Sequence, residues 1–412
     1  MNTASHSVID PVELTRDLIR RPSVTPANEG AMEVLEKALV ELGFSCRRMV
    51  FEGPSGEGVD APIINLYARL GTASPNICFA GHTDVVPTGA AEQWTAAPFE
   101  GETRDGILYG RGAVDMKGGI AAWVAALSRL LAKDEITGSL SLLITGDEEG
   151  PALHGTKRVV ETLMAEGEVI DACIVGEPSS SAQLGDMIKV GRRGSINSWF
   201  TVHGKQGHVA YPERAANPAP VIAKLMATLT DRVLDDGYPS LSAIAAHTES
   251  GSPRTGFPPS NLEITTIDIG NAATNIIPAK AFGRTNIRFN PSHTGEALAA
   301  WINSEVGRLQ ADTGLNIEVE HMISGEAFLT ENTTFIGAVQ DAVEKVCGRR
   351  PVASTTGGTS DARFIRYMCP VLELGLVGQT MHQIDERVPE QELRDLADIY
   401  VEVIRALFAR LK

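Results

Sequence analysis

The chain has 412 residues, a formal net charge of −16 and a pI near 5.1, with 43% apolar and 21% charged residues. This length predicts two domains, and the composition is ordinary for a soluble globular protein. The acidic balance argues against binding to nucleic acid or to anionic membranes, so an anionic small molecule has to be met by locally placed Arg or Lys.

Export and membrane signals are not evident in the sequence. No apolar run is long enough to span a bilayer, and "MNTASHSVIDPVELTRD" has no basic start followed by an apolar core, so we expect no secretory signal. The five cysteines are dispersed without a CxxC pair, which predicts reduced thiols in a cytoplasm. Cys78 and Cys173 lie in apolar runs and are expected to be core residues.

Helices and short apolar strands alternate in the first part of the chain. Asp10 and Pro11 are the expected N-cap and first residue of a helix, and a second helical pattern stops at Gly43. The runs "IINLYARL", "NICFAGH", "SLSLLITG" and "DACIVGEP" are typical of strands, with helical patterns such as "MKGGIAAWVAALSRLLAK" between them. Apolar strands interleaved with helices predict an α/β fold, with a mostly parallel sheet covered by helices.

The pattern changes at about Ser181. "IKVGRRGSINSWFTVHG" and "SNLEITTIDIGNAATNIIPAKAFGRTNIRFN" are long, alternating segments typical of antiparallel strands with one exposed face, and one helical segment lies between them. We therefore predict an inserted α+β domain with an antiparallel sheet at residues 181–292. Residues 1–180 and 293–412 form the predicted larger α/β domain, which ends in a long helix.

Polar side chains recur directly after the apolar strands of the α/β part. Ligands bind outside the carboxyl ends of strands in such sheets, so we expect these side chains to share one crevice. Histidine and carboxylate ligands without a thiolate suit one or two divalent metals such as zinc. Three acids, Asp147, Glu148 and Glu149, are adjacent in sequence, and a bound cation would also offset the repulsion among their charges. A charge run by itself is usually a solvated turn. The residues are His82, Asp84, Asp115, Glu148, Glu149, Glu177 and His382.

Seven segments resemble motifs of the zinc-dependent aminoacylase/carboxypeptidase family of metallohydrolases. They are "GHTDVVP", "GRGAVDMKGG", "LLITGDEEGPALHGTK", "GEPS", "VGRRGS", "GHVAYP" and "GGTSDARF", and they occur in the family's order. The resemblance extends from the first helix to the last. It implies an enzyme that hydrolyses a linear amide bond.

The resemblance implies a site for two divalent metal ions, zinc by preference and cobalt as the other candidate. Glu148 would act as general base, and Asp84 would be hydrogen-bonded to His82 so that the other ring nitrogen faces the metal. Asp147 is expected to have a structural role and to contact a nearby backbone amide. The implied metal ligands are His82 and Glu177 for one ion, Glu149 and His382 for the other, and Asp115 as the bridge.

The resemblance also implies a small-molecule substrate with carboxylates at both ends, N-succinyl-LL-2,6-diaminopimelate. Arg side chains suit carboxylates because their fork accepts bidentate geometry. One alternative is an acetylornithine deacetylase or another N-acyl-amino-acid deacylase with the same metal residues. Another is an inactive relative that only binds acylated amino acids or peptides, which would require a missing ligand or base. The implied substrate-binding residues are Arg193, Ser195, Asn275, Arg288, Gly358 and Thr359.

The resemblance further implies a homodimer that forms through the inserted segment. His208 of "GKQGHVAYP" would donate to the oxyanion in the partner's active site, together with Asn275, although the residues alone would favour a surface-loop histidine. Arg192 is open to a structural interpretation as well as a binding one. Thr356 and Ala362 stand where family members usually have glycine, so we expect a stiffer loop.

Overall fold

The computed structural model describes residues 7–52, 62–239 and 256–411. The chain divides into two compact units. The first comprises Met1–Val190, Thr330–Ser354 and Ser360–Lys412, and the second comprises Gly191–Leu329 and Thr355–Thr359. Within the described ranges, no helix combines the length and the apolar character that crossing a membrane requires.

A mixed, mostly parallel sheet of eight strands forms the centre of the first unit. Its strand Asn76–His82 is buried along its whole length and pairs in parallel with a neighbour on each side. This confirms the predicted α/β class. In spatial order the strands are Ser45–Phe51, Ile63–Leu70, Ser139–Thr145, Asn76–His82, Ala172–Val175, Val371–Glu373, Met187–Lys189 and Val352–Ser354.

Helices bury the apolar residues of this sheet. The Trp123 ring stacks on Phe79 with centroids 4.8 Å apart, and it meets Tyr400 of the last helix edge-on at 5.1 Å. The predicted N-cap is confirmed, because Asp10 Oδ1 accepts a hydrogen bond from the Val12 amide at 2.8 Å. The helices are Pro11–Ile19, Ala31–Glu41, Lys117–Leu131, Thr156–Ala165, Thr333–Cys347, Ala362–Ile365 and Glu390–Arg410.

A small antiparallel sheet joins two distant parts of the first unit. Its strands are Arg387–Pro389, Ile107–Tyr109 and Thr103–Arg104, in that order. Tyr109 pairs with Arg387, and the Gly110 amide continues the ladder to the Glu386 carbonyl at 2.9 Å. The loop to Asp115 therefore begins, and the loop that carries His382 ends, at two adjacent strands.

The second unit contains the antiparallel sheet that the alternating segments predict. Its strands are Asn261–Asp268, Lys280–Phe289, Gly194–His203 and Asn316–Gly325, in that order. Short pairs join Gly207–His208 to Ile276–Ile277, Tyr238–Pro239 to Gly256–Phe257, and Gly191–Arg192 to Phe328–Leu329.

Two helices, Ala219–Thr230 and Gly295–Thr313, contribute to the core of the second unit. Phe200 and Ile287 of the sheet share this core with Ile222 and Ile302 of the helices. The unit extends beyond residue 292 because the second helix and the strand after it bury their apolar residues in the same core.

Candidate metal centre

The first unit places several predicted site residues at one edge of its sheet. His82 ends the strand Asn76–His82, and the acids Glu148 and Glu149 come shortly after the neighbouring parallel strand Ser139–Thr145. Glu177 comes shortly after the strand on the other side. Because parallel strands end at the same edge, residues far apart in sequence converge there.

Asp115 lies between two histidines. Its Oδ1 is 3.2 Å from His82 Nε2, and its Oδ2 is 3.1 Å from His382 Nε2. His82 Nε2 is also 3.6 Å from Glu177 Oε1, and His382 Nε2 is 2.8 Å from Glu149 Oε1. Each oxygen of Asp115 therefore faces its own pair of one histidine and one further carboxylate.

The two neighbouring glutamates belong to different groups of possible ligand atoms. Glu149 lies with His82 and Asp115, and Glu148 lies with His82 and Glu177, each set with its donor atoms within 4.8 Å of one another. Proximity alone thus leaves either glutamate free to bind a metal or to carry protons.

The backbone after strand Ser139–Thr145 is fixed by two buried aspartates. Asp84 accepts from the amides of Glu148 at 3.3 Å and Glu149 at 3.0 Å. Asp147 accepts from the amides of residues 152 and 154 at 3.3 Å and 3.0 Å, which agrees with its expected structural role. The three adjacent acids therefore separate into one loop anchor and two residues of the site.

The predicted hydrogen bond from His82 to the Asp84 carboxylate needs correction. His82 Nδ1 lies 2.9 Å from the backbone carbonyl of Asp84 and 3.7 Å from its Oδ1. The Asp84 carboxylate is engaged by the two backbone amides instead. Since a carbonyl can only accept, Nδ1 carries the proton, and Nε2 still faces Asp115.

Three buried acids at this edge resist ionisation, whereas for Asp115 burial is outweighed by hydrogen bonds to His382 and His82, which lower its pKa. Burial raises the pKa of Glu148 well above its usual value, and the nearby Glu177 carboxylate adds to the effect. Burial, with the charge of Asp115, raises the pKa of Glu177 to about 7. Burial also raises the pKa of Asp84 to about 6. The site therefore contains more buried negative charge than its own residues neutralise.

The pKa values of the two histidines are also raised, which for an imidazole favours the charged form. Hydrogen bonds to Asp115 and Glu149 raise the pKa of His382 to about 10. Burial disfavours charge on His82, yet Asp115 and Glu177 outweigh it and raise its pKa well above the usual value. The protons held here occupy positions between imidazole nitrogens and carboxylates. A divalent cation binds to this kind of donor set when those protons leave, so the residues fit such an ion.

Three predicted substrate-binding residues lie close together in the second unit. Ser195 pairs with Arg288, and Arg288 pairs with Asn261 on the next strand. Arg193 donates to Asn261 Oδ1 at 3.0 Å, and its partial burial lowers its pKa. The register of the sheet thus brings two guanidinium groups and a hydroxyl to the same end of three strands.

His208 and Asn275 lie on adjacent short segments of the second unit. His208 pairs with Ile276, and the Val209 amide donates to the Asn275 carbonyl at 3.0 Å. Both His208 and Asn275 are exposed. His208 Nδ1 accepts from the Ala210 amide at 3.0 Å, which sets the direction of the ring.

The loop that carries Gly358 and Thr359 is tied down by Arg192. This buried side chain donates to the carbonyls of Thr356 at 3.3 Å and Gly358 at 3.1 Å, which supports its structural interpretation. Glycine is required at Gly357, where φ is +109°. Neither Thr356 nor Ala362 has a positive φ, so their backbone does not need glycine.

Sequence reasoning missed two residues next to the site, Arg111 and Glu386. They form an ion pair with Nη1 and Oε2 2.6 Å apart and with both side chains at most 2% exposed. The available signal was the presence of opposite charges in the same two motifs as Asp115 and His382, "GRGAVDMKGG" and "MHQIDE". Their pairing depends on the small antiparallel sheet, which neither motif reveals.

Comparison with known proteins places this arrangement in a family. The sequence matches the profile of peptidase family M20/M25/M40 over residues 78–406. It is 59% identical over 401 residues to a succinyl-diaminopimelate desuccinylase of Caulobacter vibrioides, covering 97% of both chains. It is 57% identical over 403 residues to a protein of the same name from Phenylobacterium zucineum, covering 98% of this chain and 100% of that one.

Solved structures share the fold at lower identity. An M20 family metallo-carboxypeptidase of Sulfolobus solfataricus matches with a TM-score of 0.78 and 19% identity, over 96% of this chain and 98% of that one. A Bacillus subtilis protein described as a dinuclear metal-binding M20 peptidase matches with a TM-score of 0.69 and 15% identity, over 97% and 98%. The profile match and the near-complete coverage of relatives above 50% identity lead to one conclusion: the chain belongs to peptidase family M20/M25/M40.

Proposed function

We propose that the chain is a metal-dependent amide hydrolase that cleaves N-succinyl-LL-2,6-diaminopimelate to succinate and LL-2,6-diaminopimelate, a step of diaminopimelate and lysine biosynthesis. The observation that carries this proposal is 57–59% identity, over nearly the whole chain, to proteins named succinyl-diaminopimelate desuccinylase. Free, dispersed cysteines support a cytoplasmic location.

In this proposal His82 and Glu177 would hold one divalent ion, Glu149 and His382 would hold the other, and Asp115 would be shared by both. Support comes from the two oxygens of Asp115, which face His82 at 3.2 Å and His382 at 3.1 Å. Zinc is the proposed metal, with cobalt as a substitute, because imidazole and carboxylate ligands suit both. Bound ions would supply Lewis-acid activation of water and of the amide carbonyl.

Glu148 is the proposed general base. Its carboxylate takes the proton of the attacking water as the oxygen adds to the amide carbon, and it returns that proton to the leaving amine. A raised pKa suits both steps, because it makes the carboxylate a stronger base toward the attacking water and lets the carboxyl keep the proton near neutral pH until the amine leaves. Asp84 assists as a positioning residue, since it holds the amides of Glu148 and Glu149.

The substrate carboxylates require cations that the acidic chain supplies locally. Arg193, Arg288 and Ser195 are proposed for this role, because they share one end of the antiparallel sheet. Gly358 and Thr359 are proposed to contribute a loop contact near the succinyl end.

The inserted segment, residues 181–292, is the proposed dimer contact. His208 would then donate to the carbonyl oxygen as it becomes negative in the partner's active site, together with Asn275. The exposure of both residues and their adjacency support a role toward a second molecule.

An amine-release assay tests the proposed activity. The protein is stripped of metal with a chelator, reloaded with zinc, and compared on succinyl-diaminopimelate and on acetylornithine. We expect a strong preference for the succinyl substrate and loss of activity on stripping. Comparable kcat/KM values would leave a broader N-acyl-amino-acid hydrolase, and retained activity without metal would refute the metal-dependent mechanism.

A further inference from the structure

The buried ion pair of Arg111 and Glu386 connects the loops that carry two predicted metal ligands. We infer that Arg111 and Glu386 are positioning residues that hold Asp115 and His382 in place for the ion these two share. The inference rests on the metal site of the proposed function and adds two residues that bind no metal themselves.

Glu386 acts on the Asp115 side. Its Oε1 accepts from the amides of Val114 at 2.9 Å and Asp115 at 3.1 Å, while its Oε2 accepts from Arg111 Nη1 at 2.6 Å. A glutamine cannot reproduce this arrangement, because an amide accepts at its oxygen and only donates at its nitrogen. Either the backbone amides or the guanidinium would then face another donor.

Arg111 acts on the His382 side. Its Nη1 donates to the Gln383 carbonyl at 3.2 Å, and its Nη2 donates to the Pro87 carbonyl at 3.2 Å and lies 3.5 Å from the His382 carbonyl. His382 itself has a φ of +62°, a conformation that needs support from its surroundings. The guanidinium therefore fixes the backbone that aims an otherwise exposed imidazole.

The burial of this ion pair is explained by its positioning of the predicted metal ligands rather than by a contribution to the stability of the fold. Replacing a buried ion pair by apolar residues is often neutral for stability, so the pair is a poor stabilising device. Here it joins the two segments whose side chains meet at 3.1 Å, Asp115 Oδ2 and His382 Nε2. His82 ends a fully buried strand and is held by the large sheet. Loss of the pair should therefore weaken the ion of His382 more than the ion of His82, because the first depends on both tethered segments and the second on Asp115 alone.

The test is a titration of metal-free protein with Zn²⁺ by calorimetry, repeated with Co²⁺ and its visible absorption. The variants are Glu386→Gln and Arg111→Lys, the second of which keeps the charge and loses the fork. The control is Asp171→Asn, which alters another carboxylate that accepts a backbone amide, that of Asn76 at 2.6 Å, at the other end of the sheet. His382→Ala identifies the binding step that belongs to His382.

We expect Glu386→Gln to weaken the His382 step by about 10–100-fold, as losses in the surroundings of metal ligands do, and to weaken the other step, which depends on Asp115 alone, by a clearly smaller factor. In the His382→Ala background the same substitution should have only the smaller effect that it has on the other step in the wild-type background. Asp171→Asn should leave both steps unchanged. If Glu386→Gln does not fold, Arg111→Lys must show the same selective loss.

Two outcomes would overturn the inference: both steps fall equally, or the His382 step is unaffected. Metal binding by the wild-type protein shows whether only the positioning inference fails or the proposed function fails as well. Two binding steps in the wild type without selective loss in the variants refute only the positioning role. Failure of the wild type to bind Zn²⁺ or Co²⁺ refutes the proposed metal site, and the positioning inference fails with it.

Discussion

The two units of the molecule differ in how far most of their functional residues are exposed, although His382 of the first unit is exposed and Ser195 of the second is buried. In the first unit His82 and Asp115 are 1% and 7% exposed, and they are positioned by strand ends and tight loops. In the second unit the corresponding residues lie on strands with one open face or on short exposed segments, such as those of His208 and Asn275. Buried acids with raised pKa values suit reaction chemistry, and accessible cations suit recognition of an anion.

The largest expected effect tests the division of labour inside the first unit. Glu148→Gln should reduce kcat by several orders of magnitude and retain both metal ions, because it removes the proton acceptor but no ligand. Glu149→Ala should lose one ion. Elemental analysis beside kinetics distinguishes the two. Loss of metal in Glu148→Gln, with retention in Glu149→Ala, would reverse the assignment of the neighbours.

The next largest expected effect tests whether the second unit binds the carboxylates of the substrate. Arg288→Met should lower kcat/KM for the succinyl substrate by roughly 30-fold or more, since an unpaired charge partner costs about 2–5 kcal/mol. The matched control is Arg284→Met, an exposed arginine on the same strand that is bonded to Thr265. Equal losses in Arg288→Met and Arg284→Met would mean that Arg288 has no specific role in binding.

A mixing experiment tests whether the two regions cooperate between subunits. Inactive His208→Ala and inactive Glu148→Gln proteins are combined and allowed to exchange subunits. If His208 acts in the partner's site, random pairing restores roughly a quarter of the sites. If it acts in its own chain, every site lacks one group and the mixture stays inactive. Exchange is verified separately with differently tagged subunits.

The smallest effect concerns the loop of Gly358. Gly357→Ala should destabilise the protein by about 1 kcal/mol, because φ is +109° and a Cβ would lie 2.3 Å from Arg192 Nη1. Thr356→Gly, in the adjacent exposed position, should change stability by less than about 1 kcal/mol. Thermal unfolding measures both. A larger effect of Thr356→Gly would mean that the threonine at this position, where family members usually have glycine, is important for stability.

The local sequence contains much of this information. The apolar runs predict the buried strands, the alternating runs predict the antiparallel sheet, and Asp10 with Pro11 predicts a helix start that the structure contains. Polar residues after strands predict the crevice, because the direction of parallel strands determines where their ends lie. His82, Glu148, Glu149 and Glu177 end or follow strands of the large sheet, as this rule describes, whereas Asp115 and His382 lie in loops next to the small sheet.

Contacts between distant segments depend on the tertiary structure alone. Whether His82 Nδ1 meets the carboxylate or the carbonyl of Asp84 depends on the two amides that already engage that carboxylate. The pairing of Arg111 with Glu386 spans the chain and depends on the register of the small sheet. Periodicity and motifs reflect interactions near in sequence, whereas orientation and hydrogen-bond partners are determined only when remote segments pack together.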